Sequence, residues 1–298
     1  MQILQTTQLN KRYGPIQAVD NLSIEVLEGQ IFGILGPNGS GKTTTLGIIL
    51  SIIHADSGSY TWFEGKYPKD ESRKKIGAIL ETPNFYPYLN ADDNLEIIRK
   101  IKQSDESDFG DVLDLVGLKG RRNSKFSAYS LGMKQRLAIA GTMIGHPEVL
   151  IFDEPTNGLD PNGISDIRTI IKDVASTGKA VILASHLLDE VEKICTHVGI
   201  LKRGKLLASN SIGSILNNHH FIEVACSDNK RLNSLIKDNK NIISITREAE
   251  MLIIEVTPEL TSADISRIAG NNQLVITHLS ERKNKLEEEF IQITKNRS

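Results

Sequence analysis

Eight consecutive residues, Gly36, Pro37, Asn38, Gly39, Ser40, Gly41, Lys42 and Thr43, satisfy the pattern G-x-x-x-x-G-K-[ST]. That combination suits a nucleoside triphosphate. Glycines let the backbone curl so that successive N–H groups point inward, the lysine reaches the β- and γ-phosphates, and the threonine hydroxyl ligates Mg²⁺. An apolar run over 30–35 precedes the loop, and a helix-like run over 44–53, opening on Thr44, follows it. These are the strand and helix that such a loop must join, and the helix aims the positive end of its dipole at the same anion. A second apolar run, 149–152, ends in Asp153 and Glu154. A buried strand of this kind delivers the first acid to the water shell of Mg²⁺ and leaves the second able to orient and deprotonate water. His186 follows a third apolar run, 180–184; a lone histidine at a strand end is more often structural than catalytic.

These groups need a scaffold, and 298 residues with 39% hydrophobic and 24% charged side chains are enough for one large domain or two ordinary ones. A net charge of −2, with no block of basic residues, argues against a nucleic-acid partner. No apolar run approaches the roughly 18 residues that span a bilayer, and the N-terminus lacks the basic start and apolar core of a secretory signal. Cys195 and Cys226 are far apart and form no CxxC, which reads as two buried thiols in a reducing cytosol. His219 and His220 are neighbours on an extended segment and point to opposite sides, so they read as solvated linker side chains rather than metal ligands.

Periodicity predicts an antiparallel start, with strands over 3–9, 17–19 and 22–26, a turn at Glu28 and Gly29, and a later strand over 59–63 with Trp62 in the core. Helices over 93–101, 107–116 and 131–144 form an insertion between two halves of a mixed sheet. The short all-apolar runs 149–152 and 180–184 predict buried parallel strands joined by a crossover helix over 164–175, with Gly178 beyond its end. The polar stretch 210–220 reads as a linker. Beyond it come strand 221–226, helix 230–237, strands 242–246 and 251–256, helix 262–268, strand 274–279 and helix 285–293. That β-α-β-β-α-β order predicts a small α+β ferredoxin-like domain with a trailing helix. The expected division is a nucleotide-binding domain over 1–215, with a helical subdomain at about 90–145, and an accessory domain over 216–298.

Before the acid pair comes Tyr129-Ser130-Leu131-Gly132-Met133-Lys134-Gln135-Arg136, and after it Pro155-Thr156-Asn157-Gly158-Leu159-Asp160, with Ala184-Ser185-His186 further on. On these motifs, in this order, residues 1–215 resemble the ATP-binding cassette (ABC) family, an α/β P-loop NTPase fold with a mixed sheet core and a helical subdomain. The resemblance implies ATP and Mg²⁺ as ligands. Tyr13 stacks on adenine (a plain turn tyrosine is the other reading), Thr43 and Asp153 serve the metal, Glu154 is the general base, and His186 lies against the γ-phosphate and the attacking water. Ser130 and Gly132 contact the γ-phosphate of ATP held by a second copy, with Asp160 at the junction, so the resemblance implies a head-to-tail dimer. It also implies a separate transmembrane permease and a cytoplasmic, peripheral location on the inner face of the membrane.

Two positions depart from the family pattern. Leu131 and Met133 stand where the signature LSGGQ has glycine and glutamine. Glu81 stands where most cassettes have a glutamine that senses Mg²⁺ and γ-phosphate, which adds Glu81 to the expected metal and catalytic set with Lys42, Glu154 and His186. At about 4 Å and an effective dielectric near 20, its charge gains about 4 kcal/mol toward Mg²⁺ and loses a similar amount toward a phosphate oxygen. Glu81 together with SLGMKQR resembles the bacitracin-resistance and lantibiotic-immunity subgroup, which implies an exporter of antimicrobial peptides or drugs. A membrane-associated ATPase with a regulatory or assembly role is the alternative. Phe85, Tyr86 and Tyr88 either face a short helix of the permease or pack within the helical subdomain.

Overall fold

The computed structural model describes residues 1–80, 83–105, 108–216, 220–257, 259–283 and 286–296. Glu81, Thr82 and His219 lie outside the described residues. The chain divides into two compact units, Met1–Ser211 with Ile293–Ser298, and Ile212–Gln292.

The first unit opens with β1 (Gln2–Tyr13), β2 (Ile16–Leu22) and β3 (Glu25–Leu27). There follow β4 (Ile31–Leu35), α1 (Lys42–Ile49), β5 (Ser57–Trp62), α2 (Lys69–Lys74) and β6 (Ile76–Ile79). β2, β3 and β5 all pair antiparallel with β1. The helical insertion comprises α3 (Ala91–Lys102), α4 (Gly110–Leu115) and α5 (Leu131–Met143). It begins sharply because the Asn90 side chain accepts the Asp93 N–H and caps α3. The chain returns to the sheet through β7 (Val149–Asp153), α6 (Pro161–Ser176), β8 (Ala180–Ser185), α7 (Leu188–Ile194), β9 (His197–Lys202) and β10 (Lys205–Ser211).

The second sheet has the order β10-β9-β4-β8-β7-β6, parallel except for the β9–β10 pair. Every residue of β4, β7 and β8 is buried, as expected of a parallel sheet covered on both faces. Register brings the C-terminal ends of four strands to one edge: Leu35 lies opposite Ser185, Asp153 opposite Ala184, and Ile79 opposite Phe152. That edge is where parallel α/β sheets bind ligands. A single apolar core, including Leu4, Val26, Ile34, Phe63, Ile151 and Ile182, joins the two sheets. Trp62 belongs to it, with its indole N–H donating to the Ile49 carbonyl at 2.8 Å.

The polar stretch expected as a linker is structured up to residue 216. Asn210 and Ser211 pair with Val198 and His197 at the end of β10, and α8 (Ile212–Leu216) buries Ile212 and Ile215. An edge strand half open to water carries little apolar signal, which is why β10 is faint in the sequence. The turn that joins it to β9 is nevertheless a strong one, because Arg203 and Gly204 both take positive φ, 50° and 82°.

The second unit contains β11 (His220–Cys226), α9 (Asn229–Ile236), β12 (Ile242–Glu248), β13 (Met251–Val256), α10 (Ser262–Asn271) and β14 (Ile276–Lys283), and the part of α11 (Leu286–Asn296) up to Gln292. The sheet order is β12-β13-β11-β14, antiparallel throughout. Ile222, Val224 and Ile254 of the sheet pack with Leu232, Ile236 and Ile265 of the two helices. Cys195 is buried and Cys226 half-buried, both as free thiols. Burial alone pushes the Cys195 thiol far above its usual range, so it is inert at neutral pH. Among the described residues no helix is long and apolar enough to cross a membrane.

Candidate nucleotide site

The phosphate loop joins β4 to α1 at the sheet edge described above. Gly39 and Gly41 take φ of 77° and 103°, in the half of backbone space that glycine enters without penalty. A Cβ on Gly41 would lie 2.2 Å from the Ala18 carbonyl oxygen of β2. Gly41 is also the N-cap of α1 and supplies no side-chain hydrogen bond to it. The opening N–H groups of a helix have no intrahelical partner, so this end is built for an anion. A cavity of about 320 Å³ lies against it, lined by Ile16, Ala18, Asn38, Gly39, Gly41, Lys42, Thr43, Thr44 and Glu154.

The charged groups converge there. The Lys42 ammonium, only 6% exposed, donates to the Gly36 carbonyl at 2.8 Å and to that of Pro37 at 3.4 Å, and lies 3.3 Å from Glu154 Oε1. Glu154 Oε2 lies 2.8 Å from His186 Nδ1 and accepts the His186 backbone N–H at 3.4 Å. One carboxylate is therefore held between a cation and an imidazole at the cavity wall. Its backbone is strained, with φ at 49°, a conformation that costs a non-glycine residue about 1–3 kcal/mol and clusters at functional sites. The strain is held in place because the Glu154 N–H donates to Ala184 O on β8 at 2.9 Å and its carbonyl accepts the Asn157 N–H at 3.1 Å.

Beside it the Thr43 hydroxyl donates to Asp153 Oδ2 at 2.7 Å, and Asp153 is 3% exposed. A buried carboxylate and a hydroxyl, both hard oxygen donors, at the mouth of a phosphate loop fit Mg²⁺. That ion takes one or two protein oxygens and completes its shell with water and phosphate.

Asp153 and His186 touch the lining residues Thr43 and Glu154 without lining the cavity themselves, and the remaining expected residues do not line it either. Tyr13 pairs with Ile16 across the β1–β2 turn, is 46% exposed, and has the Lys11 ammonium 5.5 Å from its ring centroid. Ser130 caps α5, accepting the Met133 N–H at 3.3 Å. Asp160 caps α6, accepting the Gly163 N–H at 2.9 Å. Leu131 packs toward Gly158, with Cδ2 3.4 Å from where a Cβ would be, and Gly132 faces Leu159 in the same way at 4.0 Å. The signature and the loop ending at Asp160 thus meet each other in this chain.

Three features escape a reading of motifs. Ile16 and Ala18 form the apolar wall of the cavity; their alternation along β2 was the available signal. Asn94 is 1% exposed, and its side chain accepts the Tyr86 N–H at 2.9 Å and donates to the carbonyls of Tyr86 and Asn90 at 3.2 and 2.9 Å. It tethers the aromatic segment that follows Glu81, and a polar residue on the helix face shared by Ala91, Leu95 and Ile98 marked it. Phe85 packs edge-on to Phe126 at 5.2 Å, whereas Tyr86 and Tyr88 are exposed, so the aromatic stretch is divided between interior and surface. The third feature is an ion pair between α6 and α7, Arg168 with Glu190.

A phosphate loop after β4, an acid pair at the end of β7 and a histidine after the strand between them define a P-loop nucleotide-hydrolysing core. The chain belongs to the ABC transporter family, as an ATP-binding and ATP-hydrolysing subunit. The family described as ABC transporter matches residues 19–157. The bacitracin transport ATP-binding protein BcrA of Bacillus licheniformis is 34% identical over 98% of this chain and 97% of its own length. The lantibiotic transport ATP-binding protein SrtF of Streptococcus pyogenes is 36% identical over 74% of this chain and 99% of its own. Among solved structures, the ATP-binding cassette MJ0796, a dimer in a post-hydrolysis state with ADP and Pi, superposes with a TM-score of 0.62. It is 26% identical and covers 70% of this chain and 99% of its own.

Proposed function

We propose that this ATPase works as a homodimer on the cytoplasmic face of the membrane, energising a separate permease that exports antimicrobial peptides or drugs. The observation that carries the dimer is the split of the machinery. Lys42, Thr43, Asp153, Glu154 and His186 gather around the cavity, while Ser130, Gly132 and Asp160 sit together away from it. Each chain holds two complementary halves, and a second copy placed head to tail closes both.

In this reading the phosphates of ATP lie against the loop N–H groups, and Lys42 exchanges its carbonyl partners for phosphate oxygens. Thr43 and Asp153 would hold Mg²⁺, which would supply positive charge to offset what builds on the phosphate oxygens. Glu154 takes the proton of the attacking water, while His186 holds the carboxylate toward it. Ile16 and Ala18 supply an apolar seat for the base, next to Tyr13 on its turn. Dimer closure and reopening then shift the population of permease states. No nucleic acid takes part.

Export of an antimicrobial peptide rests on the relatives: the bacitracin transport protein aligns over nearly the whole chain, accessory unit included. We read that unit as ferredoxin-like from its β-α-β-β-α-β order and 2-3-1-4 sheet, and assign it a buttressing or regulatory role without chemistry.

Light scattering of the Glu154→Gln protein should show one copy without nucleotide and two with Mg-ATP. A protein that stays monomeric while the parent hydrolyses ATP at full rate would overturn the composite site. Coexpression with its cognate permease should raise tolerance of a susceptible host to bacitracin or a lantibiotic; unchanged susceptibility with an active ATPase would remove the export assignment. Glu81→Gln should change the relative ATPase rates with Mg²⁺ and Mn²⁺ while leaving ATP affinity nearly intact. Identical metal profiles would reduce Glu81 to a solvated loop residue.

A further inference from the structure

α6 begins at Asp160, which caps it, and α7 begins two residues after His186. The two helices are joined by an ion pair: Arg168 Nη2 donates to Glu190 Oε1 at 2.7 Å. Glu190 is 5% exposed. The other atoms of the pair, Arg168 Nε and Glu190 Oε2, are buried and have no hydrogen-bond partner among the described residues.

Those are the two atoms that a side-on fork would join. A guanidinium edge offers Nε–H and Nη2–H in parallel to the two oxygens of a carboxylate. Here one of the two bonds is made and both ends of the other are left open. A buried donor and a buried acceptor without partners are costly, and a buried ion pair of this kind is weak evidence for stability, since well-packed apolar residues often do as well. The arrangement makes sense as one of two positions. Pivoting the Glu190 carboxylate about its existing bond closes the fork and satisfies both orphans, and that movement adjusts α7 against α6.

We propose that Arg168 and Glu190 form a two-state latch, half closed in this structure and fully bidentate in the ATP-bound dimer, which ties the seating of Asp160 to that of His186. Both are positioning residues: neither touches the cavity. The latch rests on the roles given above to Asp160 and His186. Its closed state is favoured when Asp160 is pressed by a second copy and His186 is drawn toward a γ-phosphate, so ATP at one site and the dimer contact at the junction favour the same state.

The test separates a fork from a plain ion pair. Arg168→Lys keeps the charge and one contact but has no second N–H in the plane. Glu190→Gln keeps the oxygen that accepts Nη2–H, but its amide nitrogen cannot accept Nε–H. Both variants should lose about tenfold in turnover, with KM for ATP within about twofold of the parent; Arg168→Lys should melt close to the parental temperature, and Glu190→Gln, which leaves the guanidinium without its counter-charge, lower. Arg168→Met combined with Glu190→Leu should melt at or above the parental temperature and lose turnover to the same degree.

Arg168→Lys at parental turnover would overturn the latch, as would a double variant whose activity follows its stability. Glu154→Gln, assayed in parallel, separates this failure from failure of the underlying reading. Persistent hydrolysis in that variant faults the catalytic assignment, whereas an inactive Glu154→Gln beside a fully active Arg168→Lys removes the latch alone.

Discussion

Glu154→Gln is expected to lower steady-state ATP hydrolysis by about a hundred- to ten-thousandfold, the range that loss of a general base covers. The amide keeps the size of the side chain and an oxygen for Lys42, which lies 3.3 Å from Oε1. It also keeps a polar group for His186, 2.8 Å from Oε2. What it removes is the ability to take a proton from water. Affinity for ATP should therefore survive, and repulsion between the carboxylate and the phosphates should disappear, which favours the ATP-bound dimer. Phosphate release and equilibrium nucleotide binding, measured on the same preparation, separate the two effects. Hydrolysis at the parental rate would show that another group activates the water, despite the strained backbone that presents Glu154.

Gly41→Ala is expected to weaken ATP binding by more than about a hundredfold, equivalent to roughly 2.7 kcal/mol. The added methyl would meet the Ala18 carbonyl oxygen at 2.2 Å, and the φ of 103° is one that L-residues rarely adopt. The obstacle is backbone, so no rotamer change relieves it. Either the loop or the end of β2 must move, and both line the cavity. Gly39→Ala is the control: its φ is 77°, but nothing lies within 4 Å of the new methyl. It should show only the conformational penalty, about 1–2 kcal/mol. Calorimetric titration of the two variants with ATP tests the ordering. Equal affinities would mean that the approach of β2 to the loop has no part in shaping the site.

The parts of the fold that were legible were those coded by neighbouring residues. β4, β7 and β8 announce themselves because both faces are buried and every position is apolar. α6 reads clearly because Asp160 caps it, Pro161 opens it, and Ile167, Ile170, Ile171 and Val174 recur on one face. β10 was missed because an edge strand with one wet side has few apolar residues to reveal it, and α8 because five residues are too few to show a helical period. Tyr13, expected to stack on adenine, lies on the β1–β2 turn and is not among the residues that line the cavity, whereas Ile16 and Ala18, three and five residues further along the same hairpin, are.

The candidate site divides along the same line. Chain order alone specifies the phosphate loop, the acid pair, the signature and the histidine, since each requires a particular residue within a few positions of another. Register of four parallel strands decides that Thr43, Asp153, Glu154 and His186 converge on one edge while Ser130 and Asp160 do not. The contact between Arg168 and Glu190 spans 22 residues of sequence and depends on how two helices pack against one sheet. Local motifs encode backbone conformation over a turn or two. Which distant side chains share a buried space follows from packing the whole core, where the competition among apolar surfaces is settled all at once.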